Sequence, residues 1–260
     1  MKKISSLSII KETFTQFFGK FSYIIKQLYP QVIFMYAVAF YFANQFNTLQ
    51  QDSAYIETFT VFKIIALFVL GLGFIVTYIN YTLCITQMGV TQKIEPTKLM
   101  GFGIERVQLR AFGAILLLTF GAISVVLLAL VFSKVLNSPS SIVNFVIVAV
   151  FCIPVFYMFL KLYFLFPAIV SKKNMGFVES WNTSKGWLTT IFGTMFFLGL
   201  ISVVVSLIIS LPGIINAFKG VQSAEPNFSI LSLFITVTFH LVSLGIGSLA
   251  PAILYRKIKT

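Results

Sequence analysis

The 260-residue chain is 58% hydrophobic and only 10% charged, with a mean hydropathy of +0.96, against roughly 25% charged residues in a soluble globular domain. Water is excluded as its solvent, and the domain count that length suggests gives way to a count of membrane-length apolar runs. The net charge of +12 does not mark a nucleic-acid binder, because the 19 Lys and Arg are dispersed between those runs and form no basic patch or arm.

In chain order, Met1-Lys2-Lys3 opens like a signal peptide, but Lys11 and Glu12 interrupt the apolar stretch that would follow, so no cleavage is expected. From Ser8 to Leu28, Ile10, Phe14, Phe17, Phe21, Ile24 and Leu28 recur at helical spacing while Lys11, Lys20 and Lys26 lie off that face. This predicts an interfacial amphipathic helix with Phe14, Phe17 and Phe21 at the membrane interface. Six apolar runs follow: Tyr29 to Phe46, Phe59 to Cys84, Ala111 to Ser133, Ile142 to Leu165, Trp187 to Leu211 and Phe228 to Leu254. The first is the weakest, with Pro30 and Gln31 at its start. Two shorter amphipathic helices are predicted, from Pro96 to Arg110, with proline in the first turn, and from Asn174 to Trp187, with Asn174 as cap.

Orientation follows from charge. With the N-terminus inside, cations fill every cytoplasmic segment: Lys2 to Lys26, Lys93 to Arg110, Lys172 to Lys185 and Arg256 to Lys259. The outer loops hold only Lys134 and Lys219. The positive-inside rule then predicts one all-α integral membrane bundle over residues 1–260, with six transmembrane helices, three cytoplasmic interfacial helices and both termini in the cytoplasm. Three units of interfacial helix, span and span can be drawn at 8–90, 94–172 and 174–257. Pro167-Ala168-Ile169 recurs as Pro251-Ala252-Ile253, and Lys172-Lys173 as Arg256-Lys257, whereas the first unit lacks the proline motif.

Lys161 is the charge that span counting leaves unexplained. It lies inside the fourth run, roughly 15 Å of helix before Lys172, where an ammonium either finds a partner in the bundle or snorkels to the surface. Asn80, Glu105, Glu179 and a carbonyl freed by Pro167 are candidate partners. Lys63 reads as a snorkelling lysine, and His240, the single histidine, as a structural hydrogen-bonder between helices. Gly113, Gly121 and Ser124, with Ser243, Gly247 and Ser248, are expected to let helices approach closely. Trp181, Trp187, Tyr29 and Tyr163 are expected at interfaces. Cys84 and Cys152 belong to no Cys/His cluster, one histidine excludes a His-pair metal site, and the seven acids are scattered singly outside the runs. Neither catalytic residues nor cofactor nor metal ligands are predicted, and the chain reads as a non-enzyme.

The stretch from Lys161 to Leu200 resembles the YciC-like (UPF0259) bacterial inner-membrane proteins, related to the membrane domain found with some glycerophosphodiester phosphodiesterases. A basic residue precedes a Pro-Ala-hydrophobic motif, and a short helix ends in a Ser-Trp, Ser-Lys-Gly and aromatic pattern. Here these are Lys161, Pro167, Ala168, Ser180, Trp181, Ser184, Lys185, Gly186 and Trp187. The resemblance implies a multi-pass inner-membrane protein that supports the cell envelope, and transfers no catalytic residue. The expected partners are anionic lipid headgroups on the cytoplasmic side, or a membrane protein. The alternative is a transporter or lipid-translocating protein with a polar path past Lys161, Pro154 and Pro167.

Overall fold

A computed structural model describes residues 4–51, 61–92, 106–135, 150, 153–171, 176–218 and 230–260. All regular structure among these residues is helical: α1 (Ser6–Gly19), α2 (Phe21–Gln51), α3 (Val61–Thr91), α4 (Arg106–Val135), α5 (153–161), α6 (Leu165–Ser171), α7 (Phe177–Thr183), α8 (Leu188–Phe218) and α9 (Ile230–Lys259). Five stretches are long and apolar enough to cross a membrane: Ile65–Thr91, Arg106–Val125, Ile153–Ser171, Leu188–Leu211 and Phe234–Lys259. The chain is thus a helical membrane bundle.

The run from Tyr29 to Phe46 is not among the five. It belongs to α2, whose 31 residues include Lys26, Gln27, Pro30, Gln31 and Asn44, and these dilute its apolar character. Its packing nevertheless follows the spans. Lys20 Nζ donates to the Gln92 carbonyl at 3.0 Å, Phe34 lies against Gly73, and Tyr36 meets Thr238 and stacks on Phe234. α2 therefore runs antiparallel to both α3 and α9 over much of its length of about 46 Å.

The interfacial helix predicted from Ser8 to Leu28 is two helices. Ser5 caps α1, its side chain accepting from the Ser8 N–H at 3.2 Å. α1 stops at Gly19, a poor helix former, and α2 restarts after Lys20. The apolar face continues through this joint but turns inward: Phe17 and Ile24 are fully buried, Ile10 and Leu28 nearly so, and Phe14 and Phe21 pack on the same core. Leu7 and Phe18 are the large apolar residues that α1 exposes. α1 packs on α2, α8 and α9. Ser6 Oγ donates to the Thr190 carbonyl at 3.1 Å, Glu12 pairs with Arg256 at 2.8 Å and Lys257 at 2.5 Å, and Phe17 covers Gly245 of α9. These ion pairs are partly exposed, so each contributes about 0–1 kcal/mol; the buried apolar face is the stronger anchor.

α3 is the hub, packing on α2, α4, α6 and α9. Its tightest seam is with α9, where a Cβ at Gly89 would fall 2.4 Å from the Ala252 Cβ and Arg256 donates to the Gly89 carbonyl at 2.9 Å. A second core joins Ile79 and Leu83 of α3, Ala111 and Ala114 of α4, and Leu165 and Ile169 of α6. α8 is the contrast. Its span, Leu188–Leu211, has the highest hydropathy of the five, yet only 6% of that span's most apolar 18-residue stretch is buried inside the protein, against 50% for the stretch in Phe234–Lys259. An all-round apolar helix with little protein cover suits a lipid environment.

Several sequence expectations are corrected here. Gly121 and Gly247 do not mediate helix contact among the described residues, none of which lies within 4 Å of a Cβ at either. Each lines a groove, while Gly89 and Gly245 make the close approaches. The helix expected from Asn174 begins instead at Phe177, after Gly176 in a left-handed conformation at φ 75°. Asn174 itself, Cys152 and most of the segment from Pro96 to Arg110 lie outside the described residues; Arg106 to Arg110 form the first turns of α4. Both Pro-Ala-Ile motifs are buried, but α9 continues through Pro251 whereas the chain breaks before Pro167.

Candidate functional site

The break is local chemistry. Pro167 has no N–H to offer the Tyr163 carbonyl and its ring crowds that turn, so residues 162–164 form a tighter turn in which Leu165 N–H bonds the Leu162 carbonyl at 2.9 Å. Lys161 is the last residue of α5. The chain then returns: at Gly176 a Cβ would meet Ile169 and the Leu165 carbonyl at 3.0 Å, which only glycine tolerates at this φ. Ser180 of α7 donates its hydroxyl to the Lys161 carbonyl at 3.0 Å, satisfying one of the acceptors left at the end of α5. Ser184 Oγ closes α7 on the Trp181 carbonyl at 2.9 Å, and Gly186 at φ 83° turns the chain into α8. The Ser-Trp and Ser-Lys-Gly-Trp pattern is thus a structural corner.

At that corner Lys161 is only 5% exposed. Its Nζ lies 5.5 Å from the ring centroids of both Tyr157 and Trp181, and the two rings stand perpendicular at 6.2 Å. Tyr157 is the residue that sequence reading missed. Its position one turn before Lys161 on the same helical face was the available signal. None of the described candidate partners reaches the ammonium. Glu179 is engaged by Lys259 at 2.6 Å and by the Tyr255 hydroxyl at 3.3 Å, Asn80 Oδ1 has no hydrogen-bond partner among the described residues, and Glu105 lies outside them.

The depth of Lys161 also differs from a straight-helix reading. Phe164 packs on the Tyr255 ring at 5.8 Å, and Ser171 Oγ sits 2.9 Å from the Tyr255 hydroxyl, so both ends of this segment reach one residue beside the basic end of α9. Lys161 therefore lies about one helical turn from that level, not 15 Å away. A mid-bilayer lysine costs about 2.5–3.5 kcal/mol. A shallower one costs less, and each ring returns about 0.5–2 kcal/mol through its negative face.

Beside this cage runs a groove of about 550 Å³ between α4, α5 and α7, lined by Leu117, Leu118, Gly121, Met158, Leu162, Phe177, Val178, Trp181 and Asn182. A second groove of about 340 Å³ separates α1 from α8 and α9. Of the remaining sequence candidates, Lys185 is exposed on the turn before α8, Trp187 packs half-buried on the main core and Pro167 is buried. Trp181 and Tyr29 face outward, while the Tyr163 hydroxyl is buried without a hydrogen-bond partner among the described residues. His240 is exposed on α9 beside Phe239 and bridges no helices among the described residues. No metal-binding group of His, Cys, Asp or Glu occurs among the described residues.

Fold and site together define a helical membrane protein with a buried lysine in an aromatic corner at its basic end. Comparison with models of known families, with curated proteins and with solved structures finds no match to this chain.

Proposed function

We propose that this chain is a non-enzymatic, multi-pass protein of a bacterial inner membrane that supports envelope integrity by holding anionic lipid headgroups, or a membrane-bound partner, at its basic end. One observation carries the reading: that end has more cations than carboxylates to pair with them. Glu12 and Glu179 are occupied by Arg256, Lys257 and Lys259, while Lys11, Lys26 and Lys185 are exposed and make no ion pair among the described residues. Exposed Leu7 and Phe18 flank Lys11 on α1, an apolar and basic pairing suited to a membrane surface. With α2 crossing as a sixth span, the positive-inside rule places this end and both termini in the cytoplasm. The resemblance to YciC-like inner-membrane proteins points the same way.

Each lysine near an anionic surface is worth about 1 kcal/mol, so the triple substitution Lys11→Gln, Lys26→Gln, Lys185→Gln is expected to lower phosphatidylglycerol enrichment around the purified protein by at least tenfold. Mass spectrometry of lipids retained in nanodiscs of mixed phosphatidylglycerol and phosphatidylcholine measures this. The same variant should not restore detergent resistance to cells lacking the gene. Enrichment and resistance both equal to wild type would discard the reading.

A second reading, a lipid-translocating or transport protein with a polar path past Lys161, is favoured by the helix break ahead of Pro167. The buried oxygens of Asn80, Thr82 and Thr86 on α3, which have no hydrogen-bond partner among the described residues, support it too. It predicts proteoliposome flux of a fluorescent phospholipid that Lys161→Met abolishes; absent or unaltered flux removes it.

A further inference from the structure

The groove between α4, α5 and α7 shares a wall with the lysine cage. Trp181 is 40% exposed; its ring lines the groove and also lies 5.5 Å from the Lys161 ammonium. The groove's size is in the range of small-molecule sites, and apart from the Trp181 and Asn182 lip its walls are apolar among the described residues. Exposed Leu117 and Phe120 of α4 continue that surface outward, where lipid chains are the solvent. Lys161 does not itself line the groove, but it has no carboxylate partner among the described residues and Glu179 is bound to Lys259, so a cation with no counter-charge among those residues lies beside the Trp181 wall.

We infer that this groove seats a single anionic phospholipid, its acyl chain along α4 and its phosphate at the Trp181 and Asn182 lip, where it balances the charge of Lys161. Charge complementarity selects this occupant. An uncharged amphiphile would fill the groove equally well but leave the ammonium uncompensated, and a zwitterionic headgroup carries its own cation beside the phosphate. The inference rests on the lipid-contact reading above and narrows it to one site. It also gives the corner built by Pro167, Gly176 and Ser180 a task, which is to hold Trp181 where one ring borders both the ammonium and the groove.

The chain has two tryptophans, so Trp187→Phe leaves Trp181 as the sole fluorophore. In phosphatidylcholine vesicles, phosphatidylglycerol with brominated chains is expected to quench Trp181 with about fivefold higher apparent affinity than brominated phosphatidylcholine. Lys161→Met should bring that ratio to about one, and Lys161→Arg should keep it. Gly121→Phe, built where a side chain meets open space, should reduce quenching by both lipids and guards against a Lys161 variant that fails to fold. Equal quenching by the two lipids in the Trp187→Phe protein overturns the site, as does a fivefold ratio retained by Lys161→Met. The triple lysine variant should lose general phosphatidylglycerol enrichment yet keep the Trp181 preference. If it loses both while Lys161→Met loses neither, the site fails and the surface reading survives. Loss of the preference in Lys161→Met alone, with enrichment untouched in the triple variant, supports the site and removes the surface reading.

Discussion

Phe17→Ala is expected to lower the unfolding free energy of the detergent-solubilised protein by about 3–5 kcal/mol, the cost of emptying a fully buried aromatic site. The ring is wholly enclosed. It lies over Gly245, where a Cβ would sit 2.3 Å from its edge and 3.0 Å from the Tyr81 hydroxyl, which itself donates to the Leu241 carbonyl at 3.1 Å. Truncation leaves a cavity between α1, α3 and α9 that a methyl group does not fill. Serine at this position would add a buried hydroxyl to the loss. Phe18→Ala is the control: Phe18 is 53% exposed, and its removal should cost less than about 1 kcal/mol. Thermal unfolding in mild detergent, followed by retention of monodisperse protein, separates the two. Equal losses would mean that α1 is held by its exposed side, against the packing described here.

Gly89→Val should be the next most costly change, because it acts on the α3 and α9 seam at the centre of the bundle. Two of the three nearest atoms to a Cβ there, the Ala252 Cβ at 2.4 Å and the Leu249 carbonyl at 3.4 Å, belong to α9 at or next to its backbone and cannot rotate away. The helices must therefore separate. Overpacking of this kind costs about 1–3 kcal/mol and occasionally more, and separation also stretches the hydrogen bond from Arg256 to the Gly89 carbonyl. In a bilayer, where close van der Waals contact drives helix association, small residues at such crossings have this use. Ala252→Gly in the Gly89→Val background should recover part of the loss, and a double-mutant cycle measures the coupling. Strict additivity of the two changes would show that residues 89 and 252 do not share a contact.

The helical membrane class was legible in the sequence, because long apolar runs admit no other economical structure: every backbone polar group must be satisfied within its own helix. Five of the six runs appear as helices able to cross a membrane. The sixth shows the limit of hydropathy, since α2 keeps polar residues that lower its apolar score while its side chains still find Gly73, Thr238 and Phe234 on neighbouring helices. Likewise, Phe14, Phe17 and Phe21 recur at the spacing of one helical face and meet the same core, although Phe21 belongs to α2. Spacing alone does not say whether protein or lipid covers that face, and the glycine at position 245 that admits Phe17 is far away in the chain.

Lys161 followed the same division. Its charge within an apolar run singled it out, and Pro167 hinted at a broken helix. Its surroundings needed three dimensions, because Trp181 arrives on α7 only after Gly176 reverses the chain, and Glu179 is diverted to Lys259 by the placement of α9. The sequence by itself determined the solvent, the helical class and the residues unable to sit comfortably in lipid, since these follow from local composition and periodicity. Only the tertiary structure decided which face meets protein, how deep Lys161 lies and what surrounds it, because those depend on contacts between segments remote in sequence.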